Sequence, residues 1–112
     1  MAFDVVVSNR AFYKIKAAIG YISDTCLNWS YARQLYKSVE RSIVELETKE
    51  SFHIRDQEAS TVIGQDIYRI KLGKYKLLYR IDREKHVITV FSFLHESQSF
   101  GAVILSDFQN DS

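Results

Sequence analysis

Apolar and polar residues alternate most regularly between Asp66 and His95 (DIYRIKLGKYKLLYRIDREKHVITVFSFLH). That alternation predicts three β-strands joined by two tight turns. Gly73-Lys74 separates the first two runs, and glycine at the first central position suits a type II′ hairpin turn. The turn sets a register: Leu72 opposite Tyr75, Lys71 opposite Lys76, Ile70 opposite Leu77, Arg69 opposite Leu78 and Tyr68 opposite Tyr79. Successive side chains of a strand point to opposite faces. Tyr68, Ile70, Leu72, Tyr75, Leu77, Tyr79 and Ile81 therefore share an apolar face. Ile67, Arg69, Lys71, Lys76, Leu78 and Arg80 share a largely cationic one. The second turn, around 83–86, sets Asp82 opposite Val87 whether its loop has two residues or four. Continued without interruption, the alternation puts Ile88, Val90, Ser92 and Leu94 on the apolar face and Thr89, Phe91, Phe93 and His95 on the cationic one.

Upstream, Val5-Val6-Val7 predicts a short buried strand, and Ser8 or Asn9 is placed to cap a following helix. Phe12, Ile15, Ile19, Ile22 and Cys26 recur at spacings of three and four, the apolar seam of an amphipathic helix. At that position Cys26 reads as a small buried hydrophobe. After Asn28 or Ser30 as cap, Ala32, Leu35, Val39, Ile43 and Leu46 form the stripe of a second helix. A short connection makes the two an antiparallel hairpin, laid on the apolar sheet face. The pattern then dissolves into a long loop over 49–65, where His53, between Phe52 and Ile54, reads as packing and Arg55 as a possible addition to a basic surface. Beyond His95, Phe100 and the run from Ala102 to Leu105 are too apolar for a free tail, so 96–112 is expected to dock. The expectation is one α+β domain over 1–112: an N-terminal strand, then an antiparallel helical hairpin packed on a mainly antiparallel four-stranded sheet.

A hydrophobic content of 46% and an aromatic content of 13% fit a packed globule. Net charge is only +1, yet seven of the 15 Lys and Arg residues fall between Arg69 and Lys85. Lys71 facing Lys76 costs a sheet some tenths of a kcal/mol, so folding alone gives no reason to gather these charges. Such a cluster suits an anionic partner. The single cysteine forms no internal disulfide and fits a reducing compartment. His53, His86 and His95 lack the spacing of metal ligands, and no cofactor motif is present. The N-terminus lacks the pattern of a signal peptide and no apolar run approaches membrane-spanning length, so a cytoplasmic location with no membrane partner is expected.

Three stretches, taken in order, resemble the RelE/ParE family of bacterial type II toxins. Tyr21-Ile22 followed by Trp29-Ser30-x-Ala32 and Tyr36 is similar to the family's helical hairpin. YRIKLGKYKLLYRID, with Tyr68 and Tyr79, resembles its paired basic strands. Phe93-Leu94-His95-Glu96 matches the end of its last strand, where the ParE branch often carries Leu-His-Glu. The resemblance runs from Val5 to about Leu105. It implies a small toxin of a toxin–antitoxin module that acts in plasmid stabilisation and is neutralised by a cognate antitoxin whose extended segment wraps it.

Two activities are implied by the two branches. RelE-like members cut messenger RNA in the ribosomal A site without a metal. Carried over position by position, Arg69 and Lys71 fall where that branch has two catalytic lysines, Lys76 where it has an arginine, and His95 near the basic residues that close the site. Against it, Glu96-Ser97-Gln98-Ser99-Phe100 stands where the nucleases have a further arginine and a base-stacking tyrosine. ParE-like members poison DNA gyrase by protein contact. On that preferred reading Arg69, Lys71, Lys76, Arg80, His95 and Glu96 form a docking surface, with Leu78, Phe91 and Phe93 as its apolar part.

Overall fold

The computed structural model describes residues 3–48 and 53–110. Five strands form one sheet, in spatial order β1 (Asp4–Val7), β5 (Val87–His95), β4 (Tyr75–Asp82), β3 (Tyr68–Leu72) and β2 (Ile54–Arg55), with helices on both faces. β1 (Asp4–Val7) runs parallel to the first half of β5 (Val87–His95). β3 (Tyr68–Leu72) and β4 (Tyr75–Asp82) pair in the predicted register, with Lys71 opposite Lys76. Gly73 has a φ of 64° whereas Lys74 does not take positive φ. That combination belongs to a type II′ turn and excludes type I′, which needs positive φ at both positions.

α1 (Asn9–Gly20) starts at Ser8, whose hydroxyl accepts the Ala11 amide at 3.1 Å. It runs on into a π-helical turn, Tyr21–Thr25, closed by the Cys26 amide donating to the Tyr21 carbonyl at 3.0 Å. The wider turn rotates the residues after it out of the 3.6-residue period, so Cys26 is exposed and not buried as its spacing suggested. Phe12 also lies outside the core, at 56% exposure, because Ala11, Ile15 and Ile22 make the buried face. Asn28 accepts the Tyr31 amide at the head of α2 (Trp29–Thr48), whose buried stripe is Ala32, Leu35, Val39, Ser42 and Leu46. The hairpin packs against Leu77, Tyr79, Ile88, Val90 and Phe93 of the sheet.

The second half of β5 departs from plain alternation. Tyr79 pairs with Val90 but Leu78 pairs with Ser92, which leaves Phe91 as the extra residue of a β-bulge. Downstream of it every side chain changes face. Phe93 and His95 turn toward the helical hairpin, where Phe93 stacks on Tyr75 at 5.1 Å and His95 meets the same ring edge-on. Ser92 and Leu94 turn to the other face. His95 and Lys71 thus lie on opposite faces, contrary to the uninterrupted register.

That other face is not an open wall. The 49–65 stretch, expected as a long loop, contains β2 (Ile54–Arg55), which pairs with Tyr68 and Arg69 and adds a fifth strand to the expected four. It also contains α3 (Gln57–Ile63); Phe52 lies outside the described residues. The tail forms a short 3₁₀ turn, Glu96–Gln98, and then α4 (Gly101–Gln109). With α3 and α4 laid on the sheet, Ala59, Ile67, Leu78, Phe91, Leu94 and Ile104 close a second core. Leu78, Phe91 and Phe93 are at most 2% exposed, so they provide no apolar docking surface. Gly101 permits the close approach of α3 and α4, since a Cβ there would lie 3.2 Å from Val62. Asp107 of α4, 1% exposed, accepts the Ser92 hydroxyl at 2.6 Å and is paired with Lys14 and Arg10 of α1.

Replacing Ile104 by Ala leaves a cavity under α4 and should lower the unfolding free energy by about 2–5 kcal/mol. Phe100→Ala, at a side chain 64% exposed, should stay within about 0.5 kcal/mol. Urea denaturation of the two variants beside the native chain measures the difference.

Candidate functional site

Arg69 and Lys71 on β3, Lys74 in the turn and Lys76 on β4 line an open cleft of about 290 Å³, with Asp56, Tyr75, Glu96 and Ser99 as the remaining wall. The strand register brings the cations together: Arg69 and Lys71 are two apart on one strand and Lys76 faces Lys71 from the next. Glu96 is held at the rim by its amide, which donates to the Lys74 carbonyl at 2.7 Å.

Asp56 organises the inner half of this cleft. Its amide donates to the Ile67 carbonyl at 2.8 Å, and one carboxylate oxygen accepts the Ala59 amide at 2.9 Å as the N-cap of α3. The other accepts Lys76 Nζ at 3.1 Å and lies 3.6 Å from an Arg69 guanidinium nitrogen. Burial pushes this carboxyl up, but the Ala59 amide, Lys76 and Arg69 together outweigh it and hold the group below its ordinary value. Lys76 therefore spends its charge inside the molecule, which also relieves its repulsion with Lys71. Lys71 and Lys74 are exposed, with no ion-pair partner among the described residues.

His95 faces a different hollow, about 700 Å³, lined by Ala17 and Tyr21 of the hairpin and by Phe93, Phe100 and Val103. The two hollows meet at Tyr75, which lines both. The Ser97 amide donates to His95 Nδ1 at 3.1 Å. A ring nitrogen that accepts a backbone N–H carries no proton, which assigns the hydrogen of the neutral ring to Nε2. Burial, with smaller contributions from Tyr31, Cys26 and Tyr21, raises the Tyr75 phenol, which keeps it protonated at pH 7.

Of the residues the sequence singled out, the cleft brings together Arg69, Lys71, Lys76 and Glu96. It does not include His95. Nor does it include Arg80, which lies 6.0 Å from the Phe108 ring and borders a separate hollow with Asp66 and Asp82. Arg55 is paired with Asp66 at 2.9 Å, away from the cleft. His53 packs against the stacked pair Tyr68 and Tyr79 and sits 2.7 Å from the Tyr79 hydroxyl. Burial and then Arg83 lower its pKa, and burial raises the Tyr79 phenol to about 12. Both groups are therefore neutral at pH 7, and they share one hydrogen bond. The residue that sequence reasoning missed is Asp56. Its signal was an Asp eight residues before Gly64, the cap and stop of a short helix. Gly64 closes α3 at a φ of 87°. Among the described residues no cluster of His, Cys, Asp or Glu is arranged to hold a metal ion, and no helix is long and apolar enough to cross a membrane.

A parallel N-terminal strand beside an antiparallel meander, with a helical hairpin on one face and a basic β3–β4 hairpin bordering an open cleft, defines a RelE-type toxin fold. The chain overlays the free-state structure of a mutant of the E. coli toxin RelE, with two arginines replaced by alanine, at a TM-score of 0.59 and 18% identity, covering 99% of this chain and 95% of that one. Residues 5–100 match the model of the family described as the ParE toxin of the type II toxin-antitoxin system, parDE, and the chain belongs to that family. Membership implies a cognate antitoxin. Over 90 residues, 78% of this chain, it is 34% identical to the large T antigen of B-lymphotropic polyomavirus and spans 12% of that protein's length. So small a share of the viral protein carries no function across.

The depressed pKa of Asp56 has a consequence in acid. A carboxyl held below its unfolded value of 3.8 contributes stability that is present above that value and lost as pH falls through the folded pKa. Asp56→Asn keeps a capping side chain but not the charge. It should be less stable than the native chain at pH 7, and the gap should close as pH drops below about 4. Urea midpoints of both chains from pH 7 to pH 3 test the sign.

Proposed function

We propose that this ParE-family toxin arrests growth by poisoning DNA gyrase in the cytoplasm, and that its cognate antitoxin neutralises it by laying an acidic segment against Lys71 and Lys74. The observation that carries the reading is the separation of His95 from the cations. Cleavage of RNA by its own 2′-hydroxyl needs a proton acceptor beside the charges that stabilise the phosphorane-like transition state. Here the one histidine near the strand end faces the helical hairpin, and the titratable side chain among the cations is a carboxylate engaged with Lys76 and Arg69. Glu96 adds a second negative charge where a phosphate would approach. Action by protein contact asks for none of that chemistry.

The alternative, a RelE-like ribosome-dependent mRNA endonuclease, rests on the clustering of Arg69, Lys71 and Lys76 in one cleft. Purified toxin separates the two. It should block supercoiling or trap cleaved DNA with gyrase and leave ribosome-bound messages intact, and His95→Gln should change its potency by less than about threefold. A nuclease that used His95 for proton transfer would lose roughly a hundredfold or more. Message cleavage abolished by His95→Gln, with gyrase unaffected, would reverse the reading.

The antitoxin contact has its own test. Charge reversal at both exposed lysines, Lys71→Glu with Lys74→Glu, should weaken antitoxin binding at least about tenfold at low salt and flatten its salt dependence. Titration calorimetry at two ionic strengths reads both effects.

A further inference from the structure

We propose that Asp56 is a built-in counter-ion that occupies the anion position of the cationic cleft and closes it to nucleic-acid phosphate. The inference goes beyond the choice of target. It rests on where one carboxylate sits, needs no particular protein target, and is incompatible only with cleavage of RNA in this cleft.

Arg69 and Lys76 converge from adjacent strands on a single point, and that point is filled by Asp56 Oδ2, at 3.6 Å and 3.1 Å. Two cations of this geometry suit an oxyanion, whether a carboxylate or a phosphate oxygen. Their occupant here is not a mobile surface acid. Asp56 is 3% exposed, its amide is tied to Ile67 across the β2–β3 end and its second oxygen caps α3. A phosphodiester cannot displace it without unmaking the start of a helix, and one that settled nearby would meet a fixed negative charge. The cleft is thereby divided. Its inner pair loses half of its charge to Asp56 within the fold, and Lys71 and Lys74 carry the cleft's unpaired charge. Two exposed lysines attract an acidic peptide but give poor purchase on a phosphate chain, whose affinity grows with each phosphate neutralised. Asp56 is in this sense a specificity-determining residue that turns a basic cleft from nucleic acid toward protein.

Binding of a fluorescein-labelled single-stranded RNA 20-mer, followed by anisotropy, tests the proposal without any toxin activity. Asp56→Asn retains a capping side chain and frees Arg69 and Lys76. It should bind the oligonucleotide at least about tenfold more tightly than the native chain. Its salt dependence should be steeper by about 0.7 to 1.4, one or two further phosphates on a single strand. Glu96→Gln removes an equal charge from the exposed rim and should gain less than about threefold. A folded Asp56→Asn chain with native affinity and slope overturns the proposal, and so does a Glu96→Gln gain as large as that of Asp56→Asn. Asp56→Ser, which also caps, is the second variant should Asn destabilise α3. If neither folds, the native sequence decides: Lys71→Met should lower its residual oligonucleotide affinity more than Lys76→Met does, and equal losses overturn the proposal.

Discussion

A single extra residue in β5 governs the molecule. The bulge at Phe91 sends Phe91, Ser92 and Leu94 to one face of the sheet and Phe93 and His95 to the other. Without it, Ser92 and Leu94 would face the helical hairpin, and Phe93 and His95 would stand under α3 and α4 in their place, where neither supplies the hydroxyl that Ser92 gives to Asp107. With it, one strand supplies two cores. The inner one is sealed by the long hairpin and the outer one by two short helices that no isolated peptide of their length would keep.

Those short helices are held by buried charge as much as by apolar contact. Asp56 fastens α3 to the β3–β4 hairpin, and Asp107 fastens α4 to β5 and α1. Each carboxylate is almost fully covered and each meets two cations and one neutral donor, the condition under which a buried ion adds to a fold and does not subtract from it. Both use cations that sequence alone would assign to an outward-facing surface. Much of the local positive charge is therefore internal wiring, and the part left for partners is smaller than the count of lysines and arginines implies.

The hairpin of β3 and β4 was legible because Gly73 pins the turn and a period of two leaves no freedom once the turn is set. The helical stripe from Ala32 to Leu46 was legible for the same reason at a period of 3.6. Two of the misreadings came from interruptions of period. Val90-Phe91-Ser92 contains neither glycine nor proline, so nothing in it announces a bulge. The π-helical turn at Tyr21–Thr25 is preceded by Gly20, but a glycine alone does not announce a π turn, and the turn misplaced Cys26. In the site, Arg69, Lys71 and Lys76 line one cleft as their spacing indicated, and Glu96 joins them although plain alternation would put it on the other face. His95 does not, because it lies downstream of the bulge, and Asp56 was hidden in a segment too short for periodicity to declare a helix.

The order of the strands has a consequence for how the chain comes into being. β1 is made first but lies beside β5, and Ser8 meets Phe91 across 83 residues of sequence. Contacts of that separation close late, because the loop between them must be gathered before they return anything. The helical hairpin can form early from local contacts, yet its apolar face stays uncovered until the last strand has been synthesised. A nascent chain thus passes through a stage with exposed apolar surface and an incomplete sheet. During that stage it is most open to aggregation.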